Sequence, residues 1–131
     1  MFENQWSYLF EIVRPNKIYI LHTHTAEGCE WVNDPIFSQV ELVLINNYSE
    51  IQEQIVYLAP QNGTYIQGNI SLVDYVHPES CCYVFGPNDS SLQSSEPGDK
   101  VYIPTNNDWQ YYNWMVGAIT FYDRRVKNGA G

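Results

Sequence analysis

The chain has 131 residues, 44% of them hydrophobic and 16% charged; that is enough for one domain with its own core and too apolar for a disordered chain. Fifteen acids against six bases give a net charge of −9, which argues against strong sequence-independent nucleic-acid binding and against docking on anionic membranes. No apolar run approaches the ~20 residues that span a bilayer, and residues 1–15 lack the basic start and long apolar stretch of a signal peptide, so a cytoplasmic protein is expected.

Residues 1–16 read as a short strand or as one helical turn before Pro15. Short apolar runs then recur with turn signals between them. Residues 17–22 (KIYILH) and 40–45 (VELVLI) are strand-like, separated by a loop marked by Gly28, Asn33, Asp34 and Pro35. Residues 48–54 suit a short helix. Residues 55–59 (IVYLA) form a third strand ended by Pro60, and 61–68 a polar loop. Residues 71–76 suit one or two helical turns capped by Asn69 or Ser71. Residues 81–85 (CCYVF) are a fourth strand, 90–100 a polar loop, and 101–103 (VYI) a fifth strand closed by Pro104. From 108 to 125 apolar residues at Trp109, Tyr112, Met115, Val116, Ile119 and Tyr122 keep helical spacing. Asn107 or Asp108 would cap that helix, Arg124, Arg125 and Lys127 suit its C-terminal dipole, and Gly129 marks its stop.

Strands that are apolar on nearly every residue imply burial on both faces, hence an α/β fold with a mostly parallel sheet, here within a single domain covering 1–131. In such sheets ligands bind at the carboxyl ends of strands. Three strands end in turn chemistry: LAPQNG, FGPND and IPTNND.

Other features point less sharply. Cys29, Cys81 and Cys82 are too few for a disulfide framework and read as reduced thiols. Four N-x-S/T sequons, at Asn47, Asn62, Asn69 and Asn88, mean little without a secretory signal. His22 and His24 share one face of a strand end, and with Glu27, Cys29 or Glu30 could share a metal, but no spaced partner motif accompanies them and no metal is assigned. His77, before Pro78, reads as a turn residue.

VFGPNDSSL (84–92), VYIPT (101–105) and NNDWQYYNWMVGAITFYDRR (106–125) resemble the last two motifs of SpoU/TrmH-type RNA 2′-O-methyltransferases, the knotted SPOUT class. In that family one strand ends in F-G-x-E-x-x-G-L and a second in I-P-M or I-P-T. Five residues on, S-L-N opens a helix of small residues that often ends in tyrosine–acid. Ile103-Pro104-Thr105 is here followed five residues later by Tyr111-Tyr112-Asn113, so Asn113 falls on the family Asn, Gly117-Ala118 on the small residues and Tyr122-Asp123 on the tyrosine–acid pair.

The resemblance implies a C-terminal deep trefoil knot, an exception to the rule of unknotted chains. It implies S-adenosylmethionine as cofactor, held mainly by backbone at Leu58, Ala59, Pro60, Phe85, Gly86, Pro87, Asn88, Ile103, Pro104, Asn113 and Met115. It further implies an RNA substrate (tRNA or rRNA) and a homodimer whose interface uses the last helix, with Trp109, Tyr112, Trp114 and Phe121. The sequence also departs from the family. Asn88 replaces the Glu, and Tyr111 and Tyr112 replace the Ser and Leu. The N-terminal N-x-G-x-x-x-R motif carrying the catalytic arginine is absent. Arg14, the only arginine before 124, and Asn88 are the remaining catalytic candidates. The implied activity is ribose 2′-O-methylation; the alternative is a knotted cofactor-binding or structural homodimer that has lost catalysis.

Overall fold

The computed structural model describes residues 9–10, 12–21, 40–63, 65–86, 94–105 and 113–129, with backbone alone at 113–114. The chain divides into two compact units, Met1–Gln52 and Glu53–Gly131. Among the described residues no helix is long and apolar enough to cross a membrane.

In the first unit Leu9, Phe10, Ile12 and Val13 are helical, the second of the two readings for this segment. Arg14 closes that turn in the left-handed region, at φ 53°, and its N–H returns to Phe10 O at 2.8 Å. Pro15, which lacks an N–H, cannot continue the helix. Strands β1 (Lys17–Leu21) and β2 (Glu41–Ile45) pair in parallel, with Lys17 opposite Glu41 and Leu21 opposite Ile45. The helix expected at 48–54 is one 3-10 turn, Tyr48–Glu50, because Asn47 and Glu50 cap each other's backbone.

The second unit is built on a four-stranded parallel sheet. Its strands are β3 (Ile55–Leu58), β4 (Ile70–Ser71), β5 (Cys82–Phe85) and β6 (Asp99–Tyr102), in the order β4-β6-β3-β5. The central strand β3 is the continuous apolar run, and all four of its residues are buried, as a strand covered on both faces must be. Val56, Leu58, Leu72, Tyr75 and Val101 form the core. The buried Tyr57 hydroxyl donates to Glu96 O (2.8 Å), so it accepts from Ser94 Oγ (2.7 Å), which ties the segment before β6 to the sheet centre.

One strand starts earlier than expected and another was not expected at all. β6 starts at Asp99 because polar residues at an amino end still pair with Val56 and Tyr57. β4 has only two residues, too short for any periodicity to reveal. The helical turn expected at 71–76 is a 3-10 turn, Leu72–Asp74, capped by Ser71.

Helix α1 spans Asn113–Asn128, and Gly129 closes it at φ 80°. The caps expected at 107–108 lie outside the described residues. Gly117 and Thr120 are buried, Val116 and Ile119 pack on the core, and Phe121 meets Tyr83 and Phe85. Phe121, expected at a dimer interface, is thus engaged within its own unit. Tyr122, expected on the apolar stripe, is 71% exposed, because the face turned to the sheet runs through Val116, Gly117, Ile119, Thr120 and Phe121.

Candidate functional site

Register places the strand ends together. Leu58 lies opposite Phe85 on one side and Val101 on the other, so the residues after them leave one edge of the sheet side by side. Ala59, Pro60, Gly86, Ile103 and Pro104 gather at this carboxyl edge. The edge is held by main-chain bonds. Ala59 N–H donates to Val101 O (2.9 Å), Gly63 and Gly68 N–H both donate to Pro60 O (3.2 and 2.9 Å), and Asn69 N–H donates to Lys100 O (2.9 Å). A Cβ on Gly68 would stand 2.4 Å from Ala59 O and 2.6 Å from Tyr102 Cβ, so only glycine lets the loop close on the sheet.

The direction of α1 follows from its contacts. Phe121 sits against Tyr83 and Phe85, whereas Arg124 reaches Tyr83, Cys81 and Pro78. The helix therefore runs antiparallel to β5. Its first turn, eight residues and about 12 Å before Phe121, opens towards the carboxyl edge. Of the residues that the resemblance implicates, Leu58, Ala59, Pro60, Phe85, Gly86, Ile103 and Pro104 are brought to that edge, and Asn113 and Met115 lie in the helical turn directed at it. Pro87 and Asn88 lie outside the described residues, as do His22, His24, Cys29, Trp109 and Tyr112. Arg14 belongs to the first unit, where its backbone ends a helical turn.

The opposite, amino end of the sheet holds a polar cluster that the sequence did not suggest. His77, read as a turn residue, has a fully buried side chain. Its Nε2 is 2.7 Å from Asp123 Oδ2 and its Nδ1 is 2.7 Å from Tyr83 Oη. Arg124 Nη1 donates to Tyr83 Oη (2.9 Å), and a guanidinium can only donate. A carboxylate only accepts, so His77 Nε2–H donates to Asp123, and both ring nitrogens of the buried imidazole are matched.

Arg124 also donates to Pro78 O (2.7 Å) and Glu79 O (2.6 Å). Lys127 Nζ binds Asp123 Oδ2 (2.9 Å), Tyr75 O (2.9 Å) and Leu72 O. Arg124 and Lys127, expected to complement the helix dipole, also fasten the end of α1 to the backbone before β5. The clue was available: Tyr122-Asp123 followed by Arg124 and, four residues after Asp123, Lys127. The partner His77 is 46 residues away and carries no local signal.

Burial raises the Tyr83 hydroxyl above its ordinary value, against the pull of Arg124. Burial and the bond to Asp99 raise Tyr75, and burial raises the half-buried Cys81 thiol, which therefore stays protonated and unreactive near neutral pH. Among the described residues no group of three or more His, Cys, Asp or Glu side chains is arranged to hold a metal. Comparison with protein-family models, with curated proteins and with solved structures finds no match.

Proposed function

We propose that the second unit is a SPOUT-type knotted domain that binds S-adenosylmethionine at its carboxyl edge and serves RNA ribose 2′-O-methylation as a homodimer, with α1 threaded through the loop between β5 and β6. The observation that carries this reading is convergence. Three parallel strands end at one edge in Ala-Pro, Phe-Gly and Ile-Pro, and the following helix returns antiparallel so that Asn113–Met115 opens there. Those strand ends and that helix start are the positions that the sequence resemblance assigns to the cofactor.

The residues fit such a ligand chemically. The half-buried Phe85 and Ile103 offer apolar surface to an adenine ring, and the turns after them present main-chain donors and acceptors to its edge. When bound, S-adenosylmethionine supplies an electrophilic methyl group. The chain's part is to orient the ligand from three strand ends and to exclude water with apolar side chains.

One observation favours the catalytically silent alternative. The second unit has four basic residues, Lys100, Arg124, Arg125 and Lys127. Lys100 Nζ turns back to Gly98 O before β6, Arg124 binds Pro78 O and Glu79 O, and Lys127 binds Asp123, Tyr75 O and Leu72 O. These three side chains are thus taken up by main-chain carbonyls and Asp123 rather than left to polarise a ribose hydroxyl or grip phosphate. Catalysis then requires a cation from a second copy.

Methyl transfer from labelled S-adenosylmethionine to bulk RNA tests the active reading. Incorporation supports it. Cofactor binding without incorporation leaves the silent homodimer.

A further inference from the structure

The sequence holds two Asn–Gly pairs, Asn62-Gly63 and Asn128-Gly129. Asparagine is thermolabile, and a glycine after it leaves the next main-chain nitrogen free of the Cβ that would keep it from the side-chain amide. In sequence the two pairs are alike. The structure sets them apart.

Gly63 is buried. Its N–H donates to Pro60 O (3.2 Å), and a Cβ placed on it would run into Ile66 O. Neither Gln61 nor Asn62 has a positive φ, so residues 60–63 form a closed type I turn. Turning the Gly63 nitrogen towards the Asn62 side chain breaks that bond where solvent has little access.

Gly129 is the opposite case. It and Asn128 are exposed, it stands just past the last turn of α1 at φ 80°, and a Cβ on it would meet nothing within 4 Å. Helix ends fray within the last turn. Asp123, Arg124 and Lys127, which dock α1, all precede the pair.

We propose that Asn128 is a site of spontaneous deamidation in the folded chain, and that the fold withholds Asn62 from the same reaction. The Gly129 nitrogen gives up its proton and attacks Asn128 Cγ. The N–Cγ bond forms, the Cγ–Nδ2 bond breaks, and ammonia leaves with the proton. Water then opens the succinimide at either carbonyl, to aspartate or to isoaspartate. Each product adds one negative charge, which takes the net charge from −9 to −10. The folded chain thereby gains an acidic form at an exposed helix end and keeps the turn at Pro60 intact.

The test is incubation of the full chain in warm, mildly alkaline buffer, folded and in denaturant, followed by cleavage after glutamate. Residues 54–79 then carry Asn62 and residues 97–131 carry Asn128 on separate peptides, and mass and isoaspartate content report on each. In denaturant the two peptides convert at comparable rates. In the folded chain conversion at Asn62 falls about tenfold behind that at Asn128, the rate cost of about one buried hydrogen bond. Asn128→Gln abolishes the product in 97–131. The converted chain, separated by ion exchange, melts within about 2 °C of the unconverted one, as a surface change outside the docking contacts should. Equal conversion of both peptides in the folded chain, the same imbalance in denaturant, a product in 97–131 that survives Asn128→Gln, or no conversion there while the unfolded chain converts would each overturn the proposal.

Discussion

The two ends of the parallel sheet in the second unit are built by different chemistries. The amino end is a network of side chains, His77, Tyr83, Asp123, Arg124 and Lys127, with every polar atom of the buried imidazole matched. The carboxyl end is held by main-chain bonds around Pro60 and by glycines that allow close approach. Two of the unit's four basic residues, Arg124 and Lys127, are used in docking α1. One end fixes the helix, and the other is closed by main-chain bonds. The comparison teaches that Asp123 and Arg124, in the stretch matched to the family's tyrosine–acid pair, hold α1 to the sheet.

The comparison breaks most directly at Asp123. Asp123→Ala strands the buried His77 Nε2–H and unpairs Lys127, so the stability loss should be about 3 kcal/mol by thermal or denaturant unfolding. Its cofactor affinity, measured below the melting transition, should stay near that of the unaltered chain, because the change is at the far end. Gly68→Ala should do the reverse. Its Cβ meets backbone that cannot move without opening the edge, so a loss of about 2 kcal/mol should come with weakened cofactor binding. Equal effects of both variants on affinity would abolish the division.

The alkaline limb is a milder probe. Tyr57, Tyr75, Tyr83 and Cys81 are all raised by burial, so the unfolded chain releases these protons at lower pH than the folded one. Their contribution is full below the ordinary cysteine value of 9.0 and is lost as pH rises through the folded values. Melting temperature should therefore fall above about pH 9, and Tyr83→Phe should flatten that fall. The smallest effect belongs to Thr120. Its hydroxyl is buried without a hydrogen-bond partner, so Thr120→Val should be neutral or stabilising by up to about 1 kcal/mol in denaturant unfolding.

Much of the scaffold was legible. The runs IVYL and CYVF are apolar on nearly every position and became adjacent parallel strands, and the spacing around Val116 and Ile119 revealed the long helix. The grouping of the Pro- and Gly-ended strands at one edge follows from parallel pairing once those runs are recognised. What escaped was long-range and polar. Nothing near His77 announces Asp123, and a strand as short as β4 has no period. Tyr122 fits a helical stripe, yet the buried face belongs to Gly117 and Thr120, whose small side chains let the helix lie close to the sheet.

The central claim is that the carboxyl edge holds S-adenosylmethionine. Calorimetric titration of the full chain with that cofactor tests it most directly. The account predicts a saturable one-site heat with an upward shift in melting temperature, both weakened in Asn113→Ala. Absence of heat together with an unshifted melting temperature would contradict it.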